Sequence, residues 1–217
     1  MVSPGESQVN LQEGQLEYEH LRFGRSQRGR RMNRFEREIV RFVLSKLRPN
    51  SVVIDVPCGL GRFGDIVMQL GHRYAGIDLN FGNVHHAANR LNRSLPMIQG
   101  SILDLPLGAN SADFVFCVRI FHHFSSEQIE RTFQEISRVA PQSLVTFYNR
   151  RTWRIQRRRF SPRIRFKEWR GGESWDDKTY SVPEIALLAQ KAGLRIKEKI
   201  PSSTFFTTNQ FLWLERV

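Results

Sequence analysis

Residues 52–64 read Val-Val-Ile-Asp-Val-Pro-Cys-Gly-Leu-Gly-Arg-Phe-Gly, and this stretch decides the fold. Val52–Ile54 is a continuous apolar run that ends in a carboxylate, Asp55. Continuous rather than alternating hydrophobicity marks a strand buried on both faces. Gly59, Gly61 and Gly64 then open a helix striped by Phe63, Ile66, Val67 and Leu70, with Gly71 placed as its C-cap. Strand, glycine loop and helix in this order open an α/β sheet.

The alternation continues on the C-terminal side. Tyr74–Ile77 reads as a strand ending at Asp78, and Val84, Ala87, Ala88 and Leu91 stripe the next helix. Met97-Ile98 is a weak strand and Phe114–Val118 a strong one. Ser125 with Gln128 is a capping-box pair, ahead of a helix striped by Ile129, Phe133 and Ile136. Leu144–Phe147 is the fifth strand. A second capping box, Ser181 with Glu184, opens a helix that Gly193 ends. Leu194–Ile200 and Phe211–Glu215 are two more strand-like runs, joined closely enough to form an antiparallel hairpin. Upstream, a helix starts from Gly29, with Met32, Phe35, Ile39, Phe42 and Val43 at helical spacing. Arginines with Glu36 and Glu38 lie on its other side. The expected organisation is a polar, basic arm over residues 1–28 and one domain over 29–217, with a basic aromatic insertion at 149–180.

The 217 residues suffice for a sizeable core without metal or disulfide support. Cys58 and Cys117 lie inside apolar runs and not in a CxxC frame, which suits buried, reduced thiols and a cytoplasmic protein. No apolar run approaches the ~20 residues of a membrane span. A net charge of +12 points to an anionic partner: RNA, a small anionic molecule, or a membrane surface touched peripherally. His85 and His86 are adjacent on a helix, which is not metal-ligand spacing, so no metal is expected.

Ligands of such sheets bind beyond the carboxyl ends of the strands, near the switch in strand order. The Cys58–Gly61 loop lets a ligand approach the backbone, and Asp78 is placed to accept both hydroxyls of a ribose. Gly59-x-Gly61-x-x-Gly64 also matches the dinucleotide fingerprint. In NAD sites, however, the first glycine follows the strand at once. Here Asp55 ends the strand and three residues intervene before Gly59. A carboxylate there repels pyrophosphate and suits a cofactor carrying an amino group and a sulfonium.

Val52–Gly61 resembles motif I of the class I S-adenosyl-L-methionine (SAM)-dependent methyltransferases. Gly76–Asn80 resembles motif II. Gln99–Leu107 and Ala112–His123 look like the adenine-binding segment and fourth strand of the ubiquinone/menaquinone-type (methyltransferase type 11) subgroup. The likeness implies a Rossmann-like, doubly wound sheet of seven strands, mostly parallel with an antiparallel last strand and helices on both faces. It implies SAM as cofactor, with Asp55, Gly59 and Gly61 at its methionine end and Asp78 on the ribose. Leu79 would pack on the adenine, Ser101 and Ile102 would meet the adenine edge, and Arg119 would lie near the methionine carboxylate or the acceptor.

Two residues depart from the family pattern. Pro57 stands at the usual first glycine and removes an N–H donor, and Ser101 replaces an acidic acceptor of the adenine amino group. Cys58 superficially resembles the nucleophile of cytosine-5 RNA methyltransferases. That motif follows the fourth strand, whereas Cys58 follows the first. The Pro-Pro-aromatic motif of exocyclic-amine methyltransferases is absent after the fourth strand, where Arg119-Ile120-Phe121 stands.

His122 and His123 follow the fourth strand and are the candidates for a general base or for positioning the acceptor. Arginines concentrate in two segments: one around Arg34, and one after the fifth strand that includes Arg150, Arg157, Arg158 and Arg159, with Trp153, Phe160, Phe166 and Trp169 interleaved. In this family both segments commonly cover the acceptor. Arginine with aromatics suits phosphates and bases, and equally anionic headgroups. Three readings stand: methylation of a small, anionic or lipid-linked acceptor; methylation of RNA; and a non-catalytic partner subunit with the same fold. The first is favoured by the subgroup likeness.

Overall fold

The computed structural model describes residues 26–91, 95–153, 155–156, 179–201 and 209–217, without the side chain of Arg28. The chain packs as two compact units. One comprises the described residues up to Leu107 with Ser111–Phe114; the other comprises Gly108–Asn110 with Val115–Val217.

The first unit opens with helix α1 (Gln27–Leu44), capped by the Ser26 hydroxyl accepting from the Gly29 N–H at 2.9 Å. Its buried face is Glu36, Ile39, Val40, Val43 and Leu44. This corrects the stripe read from sequence, because Phe42 is 45% exposed and Glu36 is fully buried. The helix is rotated so that a paired carboxylate, and not an aromatic ring, faces inward. Strand β1 (Val52–Asp55) leads into α2 (Gly64–Gln69). Then follow β2 (Arg73–Asp78), α3 (Phe81–Arg90) and β3 (Met97–Gln99). β1 pairs with β2, and β2 with β3, both in parallel; Asp55 lies opposite Gly76 and Asp78 opposite Gln99. Gly71, with φ +74, ends the turn after α2 as the sequence indicated.

The second unit contains most of β4 (Phe114–Cys117), a 3₁₀ turn (Phe121–His123), α4 (Ser126–Val139) and β5 (Gln142–Tyr148). It ends with α5 (Val182–Lys191), β6 (Leu194–Ile200) and β7 (Asn209–Arg216). Both capping boxes form. In the second, the Glu184 carboxylate accepts from the Ser181 N–H and hydroxyl, each at 2.6 Å. Phe121 packs edge-to-face on Phe133 in a core shared with Phe116, Ile129 and Ile136. β7 runs antiparallel to both β5 and β6. Its run of six buried residues marks an interior strand, whereas β6 alternates exposed with more covered residues and carries four charges, as an edge strand does.

Strand hydrogen bonding follows the order β3-β2-β1-β4-β5-β7-β6 in one seven-stranded sheet. The fold is thus the expected α/β one, a Rossmann-like mixed sheet that is parallel except around β7. Among the described residues, no helix is long and apolar enough to cross a membrane.

Candidate functional site

In the first unit the ends of β1 and β2 are tied together through the glycine loop. The Cys58 N–H donates to the Ile77 carbonyl at 2.8 Å, and the Gly59 N–H to the Asp78 Oδ2 at 2.9 Å. Gly59 and Gly61 take φ of +53 and +72, a region that costs a residue with a β-carbon roughly 1–2 kcal/mol. Gly61 has a second reason to lack a side chain, since a β-carbon there would lie 2.9 Å from Leu91 Cδ1 and 3.0 Å from Ala87 Cβ. One on Gly64 would overlap Leu91 Cδ1. The fingerprint glycines therefore let α3 close against the loop.

Two buried carboxylates line this corner. Asp55 is 1% exposed and accepts from the Tyr74 hydroxyl at 3.0 Å. Burial and the charge on Asp55 push the Tyr74 hydroxyl well above its ordinary range, so it remains a donor. Asp78 accepts at Oδ1 from the Asn80 N–H at 2.9 Å and from Asn83 Nδ2 at 3.0 Å, as well as from Gly59 at Oδ2. A carboxylate has about four acceptor positions, so with three held by the protein one remains, and not the two that both hydroxyls of a ribose would need. Burial first, then the charges of Asp55 and Asp78, push the Cys58 thiol far up, so it stays neutral. Two carboxylates thus meet at this corner, and the Arg90 guanidinium donates to the Leu60 carbonyl of the loop at 3.2 Å.

Pro57 is half-buried and, as a proline, offers no N–H donor at that position. Leu79 is 70% exposed and Phe81 57%, leaving apolar surface beside the end of β2. After β3, Ser101 Oγ accepts from the Leu103 N–H at 3.1 Å, a turn-forming use of its hydroxyl, while Ile102 is buried. Sequence reasoning missed Tyr74, Asn80 and Asn83, whose work is to hold the carboxylates. Asn80 alone carried a signal, as the N-cap of α3, where it accepts from the Gly82 N–H at 2.7 Å.

In the second unit, Arg119 follows β4 at φ +69, and its N–H donates to Thr146 Oγ1 at 2.8 Å. A non-glycine residue held in that region stores local strain, a feature that clusters at functional sites. The His122 ring stacks on Tyr148 at 4.5 Å and contacts His123 at 4.0 Å. His122 is half-buried and His123 exposed. The two ends of the basic insertion meet beside them. The Arg150 N–H donates to the Tyr180 carbonyl, the Tyr180 N–H to the Tyr148 carbonyl, and the Tyr180 hydroxyl to the Phe124 carbonyl at 2.6 Å. The Arg150 guanidinium donates to the Thr179 carbonyl at 2.8 Å and pairs with Glu184 at 3.2 Å, so Arg150 fastens this neck. Arg157, Arg158 and Arg159 lie outside the described residues. Arg34 is exposed on α1. Among the described residues, no group of three or more His, Cys, Asp or Glu could hold a metal ion.

A family model described as a methyltransferase domain matches residues 54–143, from the end of β1 into β5. None of the curated proteins matches the chain. Among solved structures, the chain is similar to magnesium protoporphyrin IX methyltransferase from Synechocystis with bound S-adenosylhomocysteine (SAH). The TM-score is 0.70 at 16% identity, over 94% of both chains. It is also similar to a SAM-dependent methyltransferase from Aquifex aeolicus, with TM-score 0.61, 20% identity, and 83% and 89% of the two chains covered. A third likeness is to the complex of the Haloferax volcanii Trm112 methyltransferase activator with a methyltransferase, at TM-score 0.60 and 17% identity, over 82% and 87%. At these identities the likeness is one of fold.

Proposed function

We propose that this chain, a class I SAM-dependent methyltransferase by its domain and its fold, holds SAM at the ends of β1 and β2 and methylates a small anionic or lipid-linked acceptor. The observation that carries the cofactor side is the corner where Asp78 bonds the Gly59 amide beside buried Asp55. Its two carboxylates favour an ammonium and a sulfonium. In this reading Asp55, Pro57, Gly59 and Gly61 face the methionine end of SAM, and the remaining acceptor position of Asp78 takes a ribose hydroxyl. Exposed Leu79 covers one adenine face, and Ser101 and Ile102 meet its edge. Bound there, SAM supplies an electrophilic methyl group and leaves as SAH. Most of what the protein adds is alignment in a dry site.

Arg119 is assigned to the methionine carboxylate or the acceptor. His122 and His123 are assigned to positioning the acceptor or taking its proton. An anionic acceptor is supported by Arg34 on α1, by Arg150, and by the arginines 157–159 of the insertion. The neck between Tyr148 and Tyr180 starts and ends that insertion beside the two histidines. Exposed Trp153 adds a flat apolar face at the same neck. A small-molecule methyltransferase among the structures of the same fold favours this acceptor class.

The exposed arginines 30, 31 and 34 on α1 favour a second reading, in which the acceptor is RNA gripped through its phosphates. Calorimetric titration with SAM, SAH and NAD tests the cofactor. Micromolar binding of the two adenosyl ligands and none of NAD is expected, and NAD binding or no SAM binding by folded protein refutes the assignment. A steep loss of RNA affinity with salt would select the second acceptor reading over the first.

A further inference from the structure

The cofactor loop is anchored on one side by its own sheet and on the other by α1, from 25–29 residues upstream. Arg62, between Gly61 and Gly64, is held twice by one turn of that helix. Its Nη1 donates to Glu36 Oε2 at 2.8 Å and to Asn33 Oδ1 at 2.9 Å, while its carbonyl accepts from Arg37 Nη1. Three residues on, Asp65 takes a two-pronged bond from the same Arg37, at 3.1 and 2.6 Å. Glu36 has no exposed surface, and the Arg62 guanidinium also lies over the Phe63 ring at 4.2 Å.

A buried ion pair is a poor source of stability, since desolvation of both charges offsets their attraction. It does fix direction, because the planar guanidinium fork accepts partners only at set angles. Direction is what this loop lacks on its own. Glycines at 59, 61 and 64 give it little conformational preference, and ordering it on ligand binding has an entropic cost. We propose that α1 is a clamp on the cofactor loop, with Glu36 and Arg37 as positioning residues that pre-order Gly59–Gly64 for SAM. This rests on the reading of that loop as the SAM site.

The test is SAH titration of the full chain at a temperature well below its midpoint, with Arg37→Gln, Asp65→Asn and the double variant. The Arg37–Asp65 pair is part-exposed, at 26% and 36%, so the variants should stay folded. Each single change is expected to weaken SAH about 3- to 10-fold, the double no more than the worse single, with faster amide exchange at residues 59–64 in the free protein. Arg37→Lys, which keeps the charge without the fork, should fall between. Glu36→Gln should weaken SAH at least as much. SAH affinity within twofold of the parent in both Arg37→Gln and Asp65→Asn overturns the clamp. Failure of the parent itself to bind SAH overturns the SAM site, and the clamp with it.

Discussion

Asp78→Asn separates the two jobs that the structure gives this carboxylate. Its oxygens accept three protein hydrogen bonds, one from the Gly59 amide and two from Asn80 and Asn83. A carboxamide keeps one oxygen. Its better orientation turns that oxygen to Asn80 and Asn83 and sets its NH₂ against the Gly59 N–H, so the loop loses its tie to β2. A hydrogen bond to a charged group is worth about 1.5–3 kcal/mol. A loss of about 1.5–3 kcal/mol lowers the midpoint of a chain this size by about 3–12 °C. If the remaining acceptor position takes a ribose hydroxyl, cofactor binding loses a similar further amount, about 10- to 100-fold in Kd. Calorimetric titration with SAH, held well below the variant's midpoint, reads the second effect apart from the first. Asn83→Ala is the control: it removes one donor, leaves the carboxylate, and should lower the midpoint while SAH affinity stays within about threefold. If Asp78→Asn shows the midpoint loss with unchanged SAH affinity, Asp78 is a loop fastener and the ribose assignment is refuted.

Gly61→Ala adds a β-carbon at φ +72 and 2.9 Å from Leu91, and should cost about 1–3 kcal/mol in urea unfolding. Gly71→Ala, at φ +74 with nothing within 4 Å, carries the strain alone, so equal costs would deny the close approach of α3. Burial raises Asp65, but the hydrogen bond and charge of Arg37 outweigh it and leave the carboxyl below its ordinary value of 3.8. The folded form is therefore the stronger acid, and the pair's contribution is present above the unfolded value and lost as pH falls through the folded one. The midpoint difference between the parent and Asp65→Asn should be flat from pH 7 to about 5 and shrink below, and a difference that disappears above pH 5 contradicts the pairing. His122→Phe keeps a ring against Tyr148. It should preserve the midpoint yet lower turnover of an acceptor that must lose a proton, by about 10²-fold; unchanged turnover removes His122 from proton transfer.

What was legible in the sequence was whatever repeats along the chain. Continuous apolar runs gave the parallel strands, Ser125 and Ser181 gave the starts of α4 and α5, and Gly71 and Gly193 ended α2 and α5 at positive φ. The Asp55–Gly61 loop was legible because glycine and carboxylate spacing is itself a local pattern. What stayed hidden were partners distant in sequence. Nothing near Asp55 names Tyr74 as its donor, and nothing near Asp78 says that Asn83 will occupy one of its oxygens. The stripe of α1 was misread for the same reason. Hydrophobicity placed Glu36 outside with the arginines, because the residue that neutralises it, Arg62, lies 26 positions away.

On the proposed function, the residue misread on α1 belongs to the supports of the cofactor loop. A methyl-transfer site of this fold asks the protein for alignment more than for reactive groups. Alignment is set by the residues that hold the loop as well as by those that touch the ligand. Asp55 is held by Tyr74, Asp78 by Asn80 and Asn83, Arg62 by Glu36, and Asp65 by Arg37. The last two supports are ion pairs, one part-exposed and one buried, whose worth lies in direction more than in net stability. If so, changes at Glu36 and Arg37 should move SAH affinity more than they move the midpoint, and a surface change on the same helix should move neither. Arg34→Ala serves as that comparison on α1, and any SAH effect as large as that of Arg37→Gln would mean that helix charge, and not the clamp, governs the loop.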